Sequence, residues 1–302
     1  MKSAIVTGAS GFVGSWLVKE LVKHNYQVFA VVRNLHTADL LNCLDNVQLV
    51  QCDISDLFSL CDKIKQRGFD AFYHIAWIGA GGDARSNYEL QIKNVLYCCD
   101  AVKVAKELQC KKILFAGTIS EQLVPNIFNK NVVAKNEIYA ICKKYAHYMS
   151  YTLSKTLNIE YVWMQFSNLF GPGSNNGNIV DYTLNNIICG KQASFGPAEQ
   201  IYDLLYIEDL VNAVYLLGDY SQTKSFYYIG SGNSRPLKSF LYEIGDICES
   251  RNLISIGARP DDGTRYHEDW FNTSDLRLDV NFKPKFSFRE GINKTFNYLQ
   301  NK

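Results

Sequence analysis

The stretch Ser3-Ala-Ile-Val-Thr-Gly-Ala-Ser-Gly-Phe-Val-Gly-Ser15 decides the fold. Three glycines, Gly8, Gly11 and Gly14, follow a short apolar run, and apolar residues at helical spacing come after them. In a turn from strand to helix, one glycine permits the tight turn, another lets the backbone approach a phosphate, and the third lets helix and strand pack closely. A glycine-rich turn without a ligand is the alternative. Because the strand and helix context is present, the stretch predicts a site for a dinucleotide pyrophosphate at the helix N-terminus.

The composition indicates a folded chain without an extended charged surface. The 302 residues are 47% hydrophobic and carry a net charge of +1, with no block of like charges. We therefore expect one large domain, or one domain with an appendage, and neither nucleic acid nor a membrane as a partner. The nine cysteines include no CxxC pair, so we expect no metal site and a cytoplasmic protein with reduced thiols. The first strand begins almost at the N-terminus, which leaves no room for a signal peptide.

Apolar segments alternate with helical patterns along the first half of the chain. The predicted strands are 4–7, 27–32, 47–52, 71–76, 112–116 and 161–166. Segments such as 28–32 are continuously apolar, as is typical of parallel strands with helices on both faces. The predicted fold class is therefore α/β, a doubly wound parallel sheet (Rossmann fold) with a smaller C-terminal substrate-binding cap.

The pattern changes after Phe166, where a loop at 171–178 leaves the predicted sheet. Beyond it we predict strands at 204–207 and 226–229 and helices at 236–250 and 288–299. The second half is predicted to complete the first sheet in part and to build the cap in part. Residues 1–166, with about 203–229, would form the dinucleotide-binding domain, and residues 167–202 and 230–302 would form an interleaved cap.

Tyr139 and Lys143 lie four residues apart and therefore on one face of a helix. An adjacent ammonium favours the phenolate and brings a tyrosine closer to acid–base work. Tyr151 and Lys155 repeat the spacing about 18 Å further along the same predicted helix, so only one pair can face a cofactor. For either pair alone, an exposed helix with a solvated lysine is the simpler explanation.

Taken in order, the motifs resemble the extended short-chain dehydrogenase/reductase family. The residues that carry the resemblance are 7–14, Asp53-Ile54, His74-Ile-Ala76, Thr118, Tyr139 and Lys143. It continues through residues 168–173, 202–209, 259–262 and Lys283-Pro284, and so covers nearly the whole chain. The resemblance favours Tyr139 over Tyr151 and implies a nicotinamide cofactor and a nucleotide-sugar substrate.

The resemblance also implies a role for each site residue. Tyr139 would be the general acid/base at the sugar's reacting oxygen, Lys143 would hold the nicotinamide ribose and lower the tyrosine pKa, and Thr118 would hydrogen-bond the same sugar oxygen. Asn168 and Arg259 would contact the substrate diphosphate. Besides Tyr139 and Lys143, the implied cofactor-binding residues are Thr7, Gly8, Ser10, Gly11, Phe12, Val13, Gly14, Arg33, Asp53, Ile54, Ile75 and Ala76. The alternatives are a strand-end threonine for Thr118, a loop cap for Asn168 and a surface ion pair for Arg259.

Departures from the family pattern exclude one of the family's reactions. Ile119 and Ser120 follow Thr118 where family dehydratases carry Asp-Glu, so a 4,6-dehydratase is not expected. Gln165 and Tyr202 stand where the family commonly has arginines, which leaves the nucleotide carrier open. His74 is expected to shape the cofactor pocket rather than to catalyse.

Arg33 directly follows the predicted strand 27–32. An acidic residue at this place binds the ribose diol of NAD, whereas an arginine accommodates the 2′-phosphate of NADP. A surface arginine that stacks on adenine is the alternative. We therefore predict an NADP(H)-dependent reductase of a nucleotide-linked 4-keto-6-deoxy sugar. The alternatives are a nucleotide-sugar epimerase that uses bound NAD(H) and a non-catalytic dinucleotide-sensing protein.

The resemblance further implies a homodimer. The family usually dimerises through the helices after the fourth and fifth strands, which are predicted here at 88–108 and 138–157. Tyr148, Met149 and Thr152 would lie near the seam. Burial within the monomer explains these residues equally well.

Overall fold

The computed structural model describes residues 1–129, 137–174, 177–221, 223–261 and 263–301. Asn175, Asn176 and Asp262, which belong to the predicted loop and to the motif at 259–262, lie outside the described residues. The strands are β1 (Ser3–Thr7), β2 (Gln27–Val32), β3 (Val47–Gln51), β4 (Ala71–His74), β5 (Lys112–Thr118), β6 (Glu160–Phe166), β7 (Asn168–Phe170), β8 (Ala193–Ser194), β9 (Ile201–Tyr202), β10 (Leu204–Tyr206), β11 (Phe226–Ile229), β12 (Arg235–Pro236) and β13 (Ile254–Ser255). The α-helices are α1 (Phe12–Lys23), α2 (Asp39–Asn42), α3 (Leu60–Lys63), α4 (Tyr88–Glu107), α5 (Glu137–Thr156), α6 (Ile179–Ile188), α7 (Ile207–Asp219), α8 (Leu237–Ile247), α9 (Ser274–Val280) and α10 (Phe288–Gln300).

Seven of these strands form one parallel sheet in the order β11-β6-β5-β4-β1-β2-β3. The strand order reverses between β1 and β4, because the chain continues from β1 outward to β2 and β3 and then returns to β4. In such sheets ligands bind beyond the carboxyl ends of the strands at this switch point. The predicted α/β class with a doubly wound parallel sheet is confirmed.

Two apolar cores cover the two faces of the sheet. On one face α1 and α7 pack together and bury Leu17, Leu21, Leu210, Val214 and Leu217. On the other face α4 and α5 pack side by side and bury Val95, Val102, Cys142 and Ala146. Because the central strands are covered on both faces, β1 and β2 consist almost wholly of buried residues. This explains their continuously apolar sequence.

Some strand ends differ from the sequence-based expectation. β4 stops at His74 instead of residue 76, and β5 continues to Thr118 instead of stopping at residue 116. Gly117 and Thr118 extend the ladder because they pair with Gln165 and Phe166 of β6, a contact that an apolar run cannot reveal. The carboxyl end of β5 therefore carries Thr118 to the edge where ligands bind.

The predicted strand at 204–207 is partly a helix and lies outside the main sheet. β10 ends at Tyr206, and Ile207 begins α7. β10 pairs with β7 in a small parallel sheet of its own, whereas β11 pairs with β6 and completes the main sheet. Of the two predicted strands, β11 therefore completes the main sheet and β10 does not. An apolar strand needs a partner, and the short β7 supplies it.

The remaining elements pack beside the sheet's carboxyl edge. β9 pairs with β12, and β8 pairs with β13, while α6, α8 and α10 contact one another. The division of the chain into a dinucleotide-binding domain and an interleaved cap stays a prediction. Within the described parts of the chain, none of the helices combines the length and apolarity needed to cross a bilayer.

Candidate functional site

The turn between β1 and α1 requires glycine at two positions. Gly8 has φ +69°, and a Cβ placed on it would lie 2.9 Å from the Cα of Ala76. A Cβ on Gly14 would lie 2.1 Å from the carbonyl oxygen of Gly8. The N–H of Gly11 donates to that same oxygen at 3.0 Å. The turn thus brings the N-terminus of α1 against the strand end, which is the arrangement that cradles a pyrophosphate.

A cleft of about 550 Å³ opens in front of this turn. Eleven of the predicted cofactor-binding residues line it, namely Gly8, Ser10, Gly11, Phe12, Val13, Gly14, Arg33, Asp53, Ile54, Ile75 and Ala76. Asn34, Thr37 and Trp77 also line it. We call this cavity the cofactor cleft. Its floor is a glycine turn beside the N-terminus of α1, where Gly8 and Gly14 leave no room for a Cβ, and this arrangement fits a dinucleotide.

Thr7 and His74 lie beneath the cleft rather than on its wall. Both are buried, and the Thr7 hydroxyl is 3.0 Å from Nδ1 of His74. The N–H of Ala76 donates to the same hydroxyl oxygen at 3.4 Å. Burial lowers the pKa of His74 to about 3, so the ring is neutral at physiological pH. This pair joins β1 to the end of β4 and shapes the floor of the cleft.

Arg33 and Asp53 line the part of the cofactor cleft that lies beside the ends of β2 and β3. Arg33 is exposed, and its backbone carbonyl accepts a hydrogen bond from Gln51. The Asp53 carboxylate accepts from the N–H of Ser55 at 2.9 Å and from its hydroxyl at 2.7 Å. These hydrogen bonds, assisted by the charge of Arg33, lower the pKa of Asp53. Asp53 therefore caps its own helical turn, and the Arg33 guanidinium remains at the rim of the cleft.

A second cavity, of about 610 Å³, adjoins the cofactor cleft and shares Phe12 and Val13 with it. We call it the substrate cleft. Thr118, Tyr139 and Asn168 line it together, so the structure brings these three predicted residues to one wall.

Tyr139 is buried at this wall, close to the Thr118 hydroxyl. Burial raises the pKa of the phenol to about 12, against the opposing effects of the Arg85 charge and the Thr118 hydroxyl. The Arg85 guanidinium lies 4.6 Å from the centre of the Tyr139 ring, whereas Nζ of Lys143 lies 6.0 Å away. The expectation that Lys143 lowers the tyrosine pKa is therefore not met in this structure. Burial dominates, and the cation that opposes it is Arg85.

Lys143 lies behind the cofactor cleft. Its Nζ donates to the carbonyl of Ala116 at 2.6 Å and sits 3.8 Å from the ring centre of Trp77. Trp77 is held in turn by Gln91, whose Oε1 accepts from the indole N–H at 2.8 Å. Burial lowers the pKa of Lys143, while the charge of Glu121 raises it. The ring of Trp77, which lines the cleft, thus covers the ammonium.

The second tyrosine–lysine pair lies elsewhere on α5. The Tyr151 ring packs edge-on against Tyr161 at 5.5 Å, and Nζ of Lys155 lies 5.3 Å from the Tyr151 ring centre. Tyr151 packs against the apolar core on the α4–α5 side of the sheet. Of the two pairs, only the first contributes a residue to the substrate cleft.

A third cavity, of about 450 Å³, continues from the substrate cleft and shares Ile179 with it. Arg259, Tyr182 and Phe195 line it. The guanidinium of Arg259 donates to the Tyr182 hydroxyl at 2.7 Å, and the amide of Asn168 donates to a backbone carbonyl at 3.4 Å. Asn168 and Arg259 therefore line adjoining parts of one groove. Among the described residues, Arg259 forms no ion pair and bonds to the Tyr182 hydroxyl instead.

Sequence reasoning missed three residues at the site: Trp77, Arg85 and Glu121. The tryptophan was visible as a bulky residue after β4 but had no assigned role. Thr118-Ile-Ser-Glu121 has the spacing of a capping box, which was a usable signal. Nothing in the sequence pointed to Arg85, because its contact with Tyr139 depends on how a loop folds over α5.

Comparison with known proteins agrees with the fold. A family model described as the NAD dependent epimerase/dehydratase family matches residues 4–230. A putative UDP-glucose 4-epimerase of Methanocaldococcus jannaschii is 24% identical over 322 residues, with 98% of each chain covered. Two solved structures share the fold. The UDP-glucose 4-epimerase of Thermotoga maritima, solved with UDP-glucose, gives a TM-score of 0.77 at 20% identity over 99% of both chains. The dTDP-glucose 4,6-dehydratase of Bacillus anthracis, solved with NAD, gives 0.80 at 18% identity over 100% of this chain and 97% of that one. Because the family model matches well over half of this chain, the protein belongs to the NAD-dependent epimerase/dehydratase family.

Proposed function

We propose that this protein is an NADP(H)-dependent reductase of a nucleotide-linked 4-keto-6-deoxy sugar. The observation that carries the cofactor choice is Arg33, an exposed guanidinium at the rim of the cofactor cleft, with Asn34 and Thr37 beside it on the wall. A guanidinium matches a phosphate in charge and in hydrogen-bonding geometry. Asp53, the carboxylate on the same wall, is engaged by Ser55.

The chain's own residues can hold the cofactor along the whole cleft. The glycine turn and the N-terminus of α1 would bind the pyrophosphate, and Arg33 would bind the 2′-phosphate. Ile75, Ala76 and Trp77 would line the nicotinamide half. When bound, the nicotinamide supplies the hydride that reduces the sugar's carbonyl carbon.

Tyr139 and Thr118 would act on the carbonyl oxygen of the sugar. Because burial raises the Tyr139 pKa to about 12, the phenol is protonated at neutral pH and is ready to donate. Tyr139 would give its proton to this oxygen, which becomes the hydroxyl of the product alcohol, and the phenolate left behind would take up a proton from water. Thr118, which lines the same cleft, would hold the same oxygen.

The substrate would extend from the substrate cleft into the third cavity. Asn168 and Arg259 line these adjoining spaces and would bind the diphosphate, while Tyr182 and Phe195 would flank the nucleoside. The sugar would arrive with its keto group already formed. Ile119 and Ser120 occupy the places where a dehydratase carries its acids, and the nearby Glu121 is fully buried and bonded elsewhere.

A nucleotide-sugar epimerase with bound NAD is the second candidate. It is favoured by the relatives, since both UDP-glucose 4-epimerases named above carry that activity in their names and one solved relative contains NAD. A non-catalytic dinucleotide sensor is disfavoured, because a sensor has no need of Tyr139 and Thr118 together in one cleft.

The test is a screen of dTDP-, CDP-, GDP- and UDP-linked 4-keto-6-deoxy sugars with NADPH and with NADH, followed by absorbance of the reduced nicotinamide. We expect one of these sugars to be reduced with NADPH preferred. Arg33→Asp should shift the preference toward NADH by at least ~10-fold, because a charged hydrogen bond is lost and a carboxylate repels the 2′-phosphate. Arg277→Asp makes the same charge change at an exposed position on α9 and should leave the preference unchanged.

The epimerase would replace the reductase if the wild-type protein interconverts nucleotide-sugars without net consumption of nicotinamide. A wild-type preference for NADH would remove the role proposed for Arg33.

A further inference from the structure

Glu121 is a fully buried carboxylate directly behind Thr118, one of the residues that line the substrate cleft. It lies in the 3-10 helix Ile119–Asn129 that follows β5, and 0% of it is exposed. Its Oε1 accepts the backbone N–H of Thr118 at 2.7 Å. The indole N–H of Trp163 donates to both carboxylate oxygens, at 3.1 and 3.2 Å. A buried carboxylate is costly unless it is bonded in this way, and these donors explain how the chain tolerates it.

Three neighbouring residues pack closely around this carboxylate. A Cβ on Gly117 would lie 2.2 Å from Nε1 of Trp163 and 2.9 Å from Oε1 of Glu121, so the strand passes over the pair only because residue 117 is glycine. The His147 ring stacks on Trp163 at 4.7 Å, and its Nδ1 lies 3.8 Å from the carboxylate. Burial raises the pKa of Glu121, and the charge of Lys143 acts against that rise.

Locally the arrangement resembles a capping box, of which the bond from the Thr118 N–H to Glu121 is one half. The Glu121 side chain reaches back to the Thr118 N–H, and the Thr118 hydroxyl oxygen accepts the N–H of Ser120 at 3.3 Å. Helix α10 has an ordinary capping box of this kind, in which Glu290 accepts from the N–H of Ser287 at 2.8 Å on the protein surface. The two arrangements differ in two respects. The Ser287 hydroxyl accepts from the N–H of Glu290 itself, whereas the Thr118 hydroxyl accepts from Ser120, and only the arrangement at Thr118 is buried and holds a residue of the substrate cleft.

We propose that Glu121 is a positioning residue of the active site, whose carboxylate oxygen holds the backbone of Thr118 so that the threonine hydroxyl faces the substrate's reacting oxygen. This inference rests on the catalytic role proposed for Thr118. Glu121 itself does not reach the substrate cleft and acts through Thr118. A shift of about 1 Å in a group that must hydrogen-bond the reacting oxygen is enough to slow the chemical step strongly.

Two conservative variants separate the hydrogen bond from the charge. Glu121→Gln keeps the length and the acceptor oxygen but removes the charge, whereas Glu121→Asp keeps the charge but is one methylene too short to reach the Thr118 N–H. We expect kcat to stay within ~3-fold of wild type for Gln and to fall ~10–100-fold for Asp, with KM within ~3-fold in both. Glu290→Asp is the matched control, and it should lower the melting temperature without changing kcat.

A double-mutant cycle with Thr118→Val tests whether Glu121 acts through Thr118. In the Thr118→Val background, Glu121→Asp should cost less than ~3-fold further in kcat, because the group that it positions is gone. If the kcat losses of Glu121→Asp and Thr118→Val multiply in full in the double variant, the inference is wrong. It is also wrong if Glu121→Gln is as slow as Glu121→Asp.

The same measurements keep the two proposals apart. A wild-type protein that epimerises sugars instead of reducing them would contradict the proposed function. The double-mutant cycle would then be measured with the rate of epimerisation. If Thr118→Val keeps full activity, the catalytic role of Thr118 and the positioning role of Glu121 both fall.

Discussion

At the scale of single residues, the site places a neutral phenol between two cations. Tyr139 has the Arg85 guanidinium 4.6 Å from its ring on one side and packs edge-on against Trp77 at 5.9 Å on the other. The Trp77 ring in turn covers the Lys143 ammonium at 3.8 Å. Arg85 acts on the tyrosine through its aromatic face rather than through a hydrogen bond. The burial of the phenol outweighs this charge, which suits a proton donor.

Replacing Tyr139 with phenylalanine tests this assignment. Turnover should fall by at least ~100-fold, because the proton donor is removed while little packing is lost. The NADPH dissociation constant, measured by titration of intrinsic fluorescence, should stay nearly unchanged.

Tyr151→Phe is the matched control on the same helix. Its ring packs on Tyr161 in the core, so the variant should keep turnover close to that of wild type. An inactive Tyr151→Phe together with an active Tyr139→Phe would show that the wrong tyrosine of α5 has been assigned.

At the scale of elements, the β1–α1 turn joins cofactor binding to the packing of the first helix. Gly11 and Gly14 are both close to the carbonyl oxygen of Gly8, but a side chain at Gly11 would have more room beside that oxygen than a side chain at Gly14. A Cβ would lie 3.2 Å from that oxygen at Gly11 and 2.1 Å from it at Gly14. A Cβ at Gly11 needs only a small shift of the backbone. A Cβ at Gly14 would overlap the Gly8 oxygen and would force α1 away from β1.

Gly14→Ala should therefore destabilise the protein much more than Gly11→Ala. We expect a loss of about 1–3 kcal/mol in the free energy of unfolding for Gly14→Ala, the range for overpacked sites, and a smaller loss for Gly11→Ala. Urea unfolding without cofactor measures both, so that any effect on pyrophosphate binding stays out of the comparison. Equal losses for the two variants would contradict the close approach of α1 to β1.

At the scale of the whole molecule, helices α4 and α5 present an uncovered apolar face. Large apolar residues recur on their outer sides, and between 44% and 66% of each is exposed: Tyr88, Ile92 and Leu96 on α4, and Tyr145, Tyr148 and Met149 on α5. Thr152 is exposed beside them. The two helices pack side by side, so these residues form one patch. Exposed apolar patches of this kind mark sites of association.

We propose that a second copy of the chain covers this face, which makes the protein a homodimer. The double variant Ile92→Glu/Leu96→Glu would place like charges opposite each other across a two-fold interface and should weaken the dimer at least ~100-fold. Light scattering at micromolar concentration should show a dimer for wild type and a monomer for the variant. Leu278→Glu, at an exposed leucine on α9, should remain dimeric. A monomeric wild-type protein would remove the proposal.

The order of strands and helices was readable from the chain because it depends on local pattern. Continuous apolar runs mark strands covered on both faces, and the glycines of residues 8–14 mark the phosphate turn, so β2 and β11 have the predicted bounds and the cofactor cleft contains most of the predicted residues. Strand ends such as Gly117-Thr118 were missed, since their pairing partners lie on β6.

The amino-acid sequence by itself determined the α/β fold, the phosphate turn and the family, because each is written in the spacing of neighbouring residues. Only the tertiary structure decided what surrounds the reacting groups. Arg85 meets Tyr139 through a loop that folds over α5, and Glu121 meets Trp163 across 42 positions of the chain. Such contacts depend on how distant elements pack, and burial among those elements, rather than the neighbouring Lys143, sets the direction in which the pKa of Tyr139 moves.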